Sequence, residues 1–123
     1  MDVSRQLVVL NKALVLERLG GDEQLLGEIA GLFLSDYPGM MEQIREAVAR
    51  RDSHALHHAA HTLKGAIANF CADAPFESAY KLERMGREGN LAGAEEAVSE
   101  LERQLRSLEP ILAGLQNASA STP

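Results

Sequence analysis

Aromatic residues are scarce in this chain: two Tyr, three Phe and no Trp among 123 positions. β-branched residues are also few, while Leu, Ala, Glu and Arg, all good helix formers, are plentiful; this composition disfavours sheet and favours an all-α fold. The single cysteine, Cys71, excludes an intrachain disulfide, and a reducing, cytoplasmic setting is expected. Basic residues are in the minority, with 12 Lys and Arg against 18 Asp and Glu and a net charge of −6. Phosphate-backbone contacts need clustered cations, so no nucleic-acid partner is expected. No apolar run approaches the ~20 residues of a membrane span, so no membrane insertion is expected. The opening MDVSRQLVVLNK lacks a basic leader with a long apolar core, and no signal peptide is expected. The length suits one domain, large enough to bury a core without staples.

The remaining pattern is helical. Asn11 is placed to cap a short helix ending near Leu19 and Gly20, and Asp22 to cap the next. Leu25, Leu26, Ile29, Leu32 and Phe33 then recur at helical spacing. The Tyr37-Pro38-Gly39 segment predicts a break, with Pro38 in the first turn of a following helix whose apolar face is Met41, Ile44 and Val48. Asp52 or Ser53 begins a helix to about Phe70. Asp73 and Pro75 restart the chain, Phe76, Ala79, Leu82 and Met85 form the next stripe, and Gly86 to Asn90 end it. Leu91, Ala94, Val98, Leu101, Leu105, Leu108, Leu112 and Leu115 form a heptad-like seam that reads as bundle core, with Pro110 expected to kink or fray it. The expected fold is an antiparallel four-helix bundle with a short additional N-terminal helix. Residues 1–10 read as a lead-in, 11–115 as the bundle, and 116–123 (QNASASTP) as a disordered tail or linker.

The stretch from Asp52 to Ala72 carries the chemistry. On a wheel of about 100° per residue, Leu56, Ala60, Leu63, Ile67 and Phe70 share one face, within roughly 40° of its centre. His61 falls almost opposite, with His54, His57, Lys64, Gly65 and Ala68 around it and His58 and Asn69 slightly to the other side. A lone exposed histidine is usually a solvated residue; its neighbours make this one different. Gly65 is mid-helix and outward, where glycine costs about 1 kcal/mol against alanine. A bare backbone there lets a macromolecule approach. Lys64, three residues after His61, can reach a group attached to the imidazole and offset the charge of a phosphoryl group. Histidine changes charge near neutral pH, so one ring nitrogen is available as a nucleophile.

His61-Thr62-Leu63-Lys64-Gly65, with Ala60 before it and Asn69 after it, resembles the signature of histidine-containing phosphotransfer (HPt) domains of bacterial phosphorelays. The wider run from Asp52 through Leu56 and Ala59, and the upstream Leu19-Gly20-Gly21-Asp22 turn leading to Leu25, Leu26 and Phe33, fit the same family. The resemblance spans roughly Asn11 to Leu115. It implies that His61 is the phosphorylated residue, that Lys64 steadies the phosphoryl group, and that Gly65 leaves room for a partner. It implies receiver domains of response regulators and a hybrid sensor kinase as partners. Mg²⁺ would sit on the receiver, with no cofactor or metal on this chain, and transfer would be reversible without independent turnover. A docking face of Gly65 and Ala68, rimmed by His57, His58 and Asn69, is expected, on a monomer. One departure stands out: two residues after Asn69, where the family has a glycine, this chain has Cys71, which puts the local turn in question.

The same residues allow other readings. His57 and His61, four apart, could share a metal, but the glutamate of an HExxH motif is missing and a third ligand is not evident. His54, His57 and His58 otherwise form a weakly basic helix surface, which with Arg50, Arg51 and Lys64 could steer an acidic partner. A pure interaction module with an inert histidine is a second class of function, weakened by the presence of both His61 and Lys64. An independent enzyme has little support, since no glycine-rich phosphate loop is present.

Overall fold

Five helices follow one another in the computed structural model, which describes residues 9–120. They are α1 (Lys12–Arg18), α2 (Glu23–Ala49), α3 (Ser53–Ala68), α4 (Asp73–Glu88) and α5 (Ala94–Ala120). Three starts are made by the expected caps. The side-chain oxygen of Asn11 accepts from the Leu14 amide at 3.1 Å, that of Asp22 from Leu25 at 3.0 Å, and that of Asp52 from Ala55 at 3.0 Å. Each satisfies a backbone donor that the first turn leaves without a partner. Gly89, at φ 71°, ends α4 in the left-handed conformation that glycine adopts without steric cost.

The expected break at Tyr37-Pro38-Gly39 does not occur: α2 is continuous from Glu23 to Ala49. Proline inside a helix costs about 3 kcal/mol, because it lacks the N–H for the carbonyl four residues back and its ring crowds that turn. Burial on both sides offsets this. Tyr37 and Met41 are both in the core, Tyr37 stacks on Phe33 with ring centroids 5.3 Å apart, and its hydroxyl donates to Glu109 of α5. Pro38 and Gly39 lie on the exposed side. Pro110 behaves alike: it is exposed, Leu108 and Leu112 on either side are buried, and α5 continues past it to Ala120. The segment expected to be a tail from Gln116 thus starts as helix, and residues 121–123, like 1–8, lie outside the described residues.

α2, α3, α4 and α5 close a ring, α2 packing on α3 and α5, and α4 on α3 and α5, while α1 rests on α2. Tyr37 meets Glu109 and Arg45 meets Glu102, so α2 and α5 run in opposite directions. α3 and α4 are likewise opposed, with His61 against Glu83 and the backbone near His57 against Gly86. Among the described residues there is no strand; the fold is a helical bundle.

The core lies inside this ring. Leu56, Ala60, Leu63, Ile67 and Phe70 of the α3 segment are fully buried, as the wheel requires. The seam from Leu91 to Leu112 is buried too, and Leu115 partly so. The α2 stripe differs from expectation. Leu25 and Leu32 are exposed, at 37% and 64%, and the buried line is Leu26, Ala30, Phe33, Tyr37, Met41, Ile44 and Val48. Adjacent leucines or a Leu-Phe pair cannot both face inward, and the small Ala30 marks which line does.

Candidate functional site

α3 presents its outer face to solvent because its inner face is entirely apolar. The His61 side chain is 64% exposed. A Cβ built on Gly65 would meet nothing within 4 Å, so this glycine is an open patch and not a packing contact. His58 and Asn69 are exposed and Ala68 and His57 are half-buried; His58 lines the groove between α2 and α3.

What the sequence did not reveal comes from α4. Gly86 lies against α3, where a Cβ would stand 2.5 Å from the His57 backbone nitrogen and 2.7 Å from the Ser53 carbonyl oxygen. The two backbones therefore touch, which brings the preceding turn of α4 directly beside His61. There Glu83, only 6% exposed, reaches His61 Nδ1 with Oε2 at 3.1 Å and Lys64 Nζ with Oε1 at 2.7 Å. His57 Nδ1 lies 3.4 Å from the Glu83 carbonyl oxygen. Lys64, 20% exposed, also sits over the Tyr80 ring at 5.0 Å, and the Arg84 guanidinium lies 5.2 Å from the same ring. Lys64 is thus not free beside the imidazole, as its spacing suggested, but shares a buried carboxylate with it.

Burial alone would raise the Glu83 carboxyl, but Lys64 and then His61 outweigh it and hold the group below the usual carboxylate range. Glu83 is therefore ionised at neutral pH and can only accept hydrogen bonds. The contact with His61 assigns a proton to Nδ1, so that in the neutral ring the lone pair is on Nε2. An exposed imidazole held in this tautomer can act as a nucleophile through Nε2. The sequence signal for Glu83 was present: a lone carboxylate within the buried line of Ala79, Leu82 and Gly86.

Cys71 settles the turn that its own presence put in question. Its φ is 53°, in the left-handed region where a glycine would be unstrained. The turn after α3 is kept, at the cost of a strained non-glycine residue.

Among the described residues, no group of three or more His, Cys, Asp or Glu converges as a metal site would need. His57 and His61 stack at 6.4 Å between ring centroids, a pair without a third ligand. No helix among the described residues is long and apolar enough to cross a membrane.

Comparison with known families matches the Hpt domain over residues 28–110. No curated protein and no solved structure matches the chain. The matched span holds α3 and α4 whole and most of α2 and α5, including His61 and the carboxylate fixed beside it. The chain belongs to the Hpt domain family, whose members serve histidine phosphotransfer in two-component signalling.

Proposed function

We propose that this chain is a phosphocarrier in which Nε2 of His61 takes a phosphoryl group from the aspartyl phosphate of one receiver domain and returns it to the aspartate of another, in a relay begun by a hybrid sensor kinase. The observation that carries this reading is the Glu83–His61 contact at 3.1 Å on an otherwise exposed imidazole. It fixes the Nδ1–H tautomer and leaves Nε2, the nitrogen farther from the backbone, free to attack. In the forward step the Nε2–P bond forms as the aspartyl O–P bond breaks, and the carboxylate leaves with the electron pair. The receiver supplies Mg²⁺ and most of the charge stabilisation of an in-line transfer. Gly65 and Ala68 form the centre of the docking face and His57, His58 and Asn69 its rim, while Lys64 lies close enough to turn toward the phosphoryl group. The encounter is transient, between a monomer and a partner in the cytoplasm, over an interface at the small end of the usual range.

The test is to mix the protein with a phosphorylated receiver domain and follow the label. A base-stable, acid-labile phosphate on the wild type that His61→Gln lacks is the expected result. Equal labelling of the variant overturns the assignment. Receiver binding with no transfer at all would instead favour a pure interaction module.

A further inference from the structure

A carboxylate buried beside a phosphate acceptor needs an explanation. Burying a charge is unfavourable unless it is paired, and a neutral amide could satisfy Nδ1–H without that cost. An amide differs from a carboxylate in one respect that matters here. It can accept or donate, whereas an ionised carboxylate only accepts. Glutamine at this position could turn its NH₂ toward an unprotonated Nδ1; glutamate cannot.

We propose that Glu83 keeps a proton on Nδ1 while Nε2 of His61 is phosphorylated, and so sets how readily the phosphoryl group leaves. The inference rests on the reading of His61 as the carrier. When the group departs, the Nε2–P bond breaks, its electron pair returns to Nε2, and a P–O bond forms to the acceptor, either water or a carboxylate. With Nδ1 protonated the leaving group is a neutral imidazole. Without that proton it is an imidazolate, a far poorer leaving group. The proton stays on Nδ1 in both directions, donated to Glu83, so transfer and return need no proton movement.

The surrounding charges support this assignment. On α3 the titratable neighbours of His61 are His57, with its ring stacked at 6.4 Å, and Lys64. On α4 they are Glu83, then Tyr80 and Arg84 beyond Lys64. Across the α2–α3 groove, Glu46 and Arg50 face His58 and Thr62. Among the described residues Glu83 is the carboxylate in contact with the imidazole, and α3 itself carries none. Lys64 neutralises Glu83 before phosphorylation. A phosphoryl group of charge about −1.5 to −2 offers the ammonium a second anion, which leaves more of the Glu83 charge to hold the Nδ1 proton.

The experiment uses phosphoramidate as a small phosphoryl donor, so that neither kinase nor receiver is required. After removal of the donor, loss of phosphohistidine is followed by phosphorus NMR from about pH 6 to about pH 10 in wild type, Glu83→Gln and His61→Gln. The glutamine variant should keep its phosphohistidine longer near neutral pH. Its stability profile should shift about one pH unit lower, which is about a tenfold longer half-life at a fixed pH on the sloping part of the curve. Coincident profiles overturn the proposal, since a purely structural role for Glu83 would not move them. If circular dichroism shows Glu83→Gln unfolded by the unpaired Lys64, the same comparison is made between Lys64→Met and Glu83→Gln with Lys64→Met; the same shift is expected, and its absence is equally decisive. A wild type labelled no more than His61→Gln overturns the carrier reading itself, an outcome distinct from coincident profiles.

Discussion

At the scale of single residues, strain sits in the turn that ends α3 and buried charge sits beside His61. Cys71 occupies left-handed space, where a Cβ costs about 1–2 kcal/mol. Cys71→Gly should therefore be more stable than Cys71→Ala by about 1 kcal/mol in urea unfolding, because both lose the sulfur and only one loses the Cβ. Equal stabilities would show that the turn is not strained. Glu83 makes a different prediction, in pH. Its folded carboxyl is held below its ordinary value of 4.5, so the unfolded chain binds the proton more readily. The stability Glu83 contributes is thus fully present above about pH 4.5 and is lost as pH falls through the lower, folded value. Measured from neutral pH to about pH 3, the stability gap between wild type and Glu83→Gln should narrow on the acid side. A gap independent of pH would mean that the carboxylate is not held by Lys64 and His61 as described.

At the scale of elements, two glycines separate packing from access. Gly86→Ala forces a Cβ into the α3 backbone and should destabilise the bundle by about 2–3 kcal/mol while moving Glu83 away from His61. Gly65→Ala meets open space and should stabilise α3 by about 1 kcal/mol, yet slow transfer from a receiver if partner backbone approaches there. Thermal unfolding paired with transfer rates checks both; a Gly65→Ala protein with unchanged transfer would remove Gly65 from the docking face. The contrast also marks where the sequence was legible. Asn11, Asp22 and Asp52 announced their helices because a cap acts within three residues. The α3 face was legible because Leu, Ala and Ile alternate cleanly with polar residues. Gly86 read as a stop signal because its neighbour across the interface lies about thirty positions away, and no local pattern reports that distance. Glu83 left a local trace, a carboxylate within an apolar line, but its partners His61 and Lys64 lie on another helix, where no local pattern reports them. Pro38 misled because its local cost is real, and only tertiary burial of Tyr37 and Met41 shows why the helix tolerates it.

At the scale of the molecule, α3 has no carboxylate of its own, and the one in contact with His61, Glu83, is buried and paired with Lys64. α3 carries no carboxylate, whereas Glu23, Glu28, Glu42, Glu95 and Glu96 on α2 and α5 are exposed. A partner with an acidic pocket would meet no exposed carboxylate on α3 itself, on a chain of net charge −6. The prolines divide the molecule in another way. Pro38 and Pro110 each follow, by one residue, a partner in the Tyr37–Glu109 bond, so two adjacent helices lose a rung at one level. Cooperative units tend to part where backbone bonds are fewest. Amides of α2 before Pro38 and of α5 after Pro110 should therefore exchange with solvent sooner than those of α3 and α4; uniform protection across all four helices would contradict this. The bundle then has a seam across its length, and one end can breathe while the histidine and its carboxylate stay locked together.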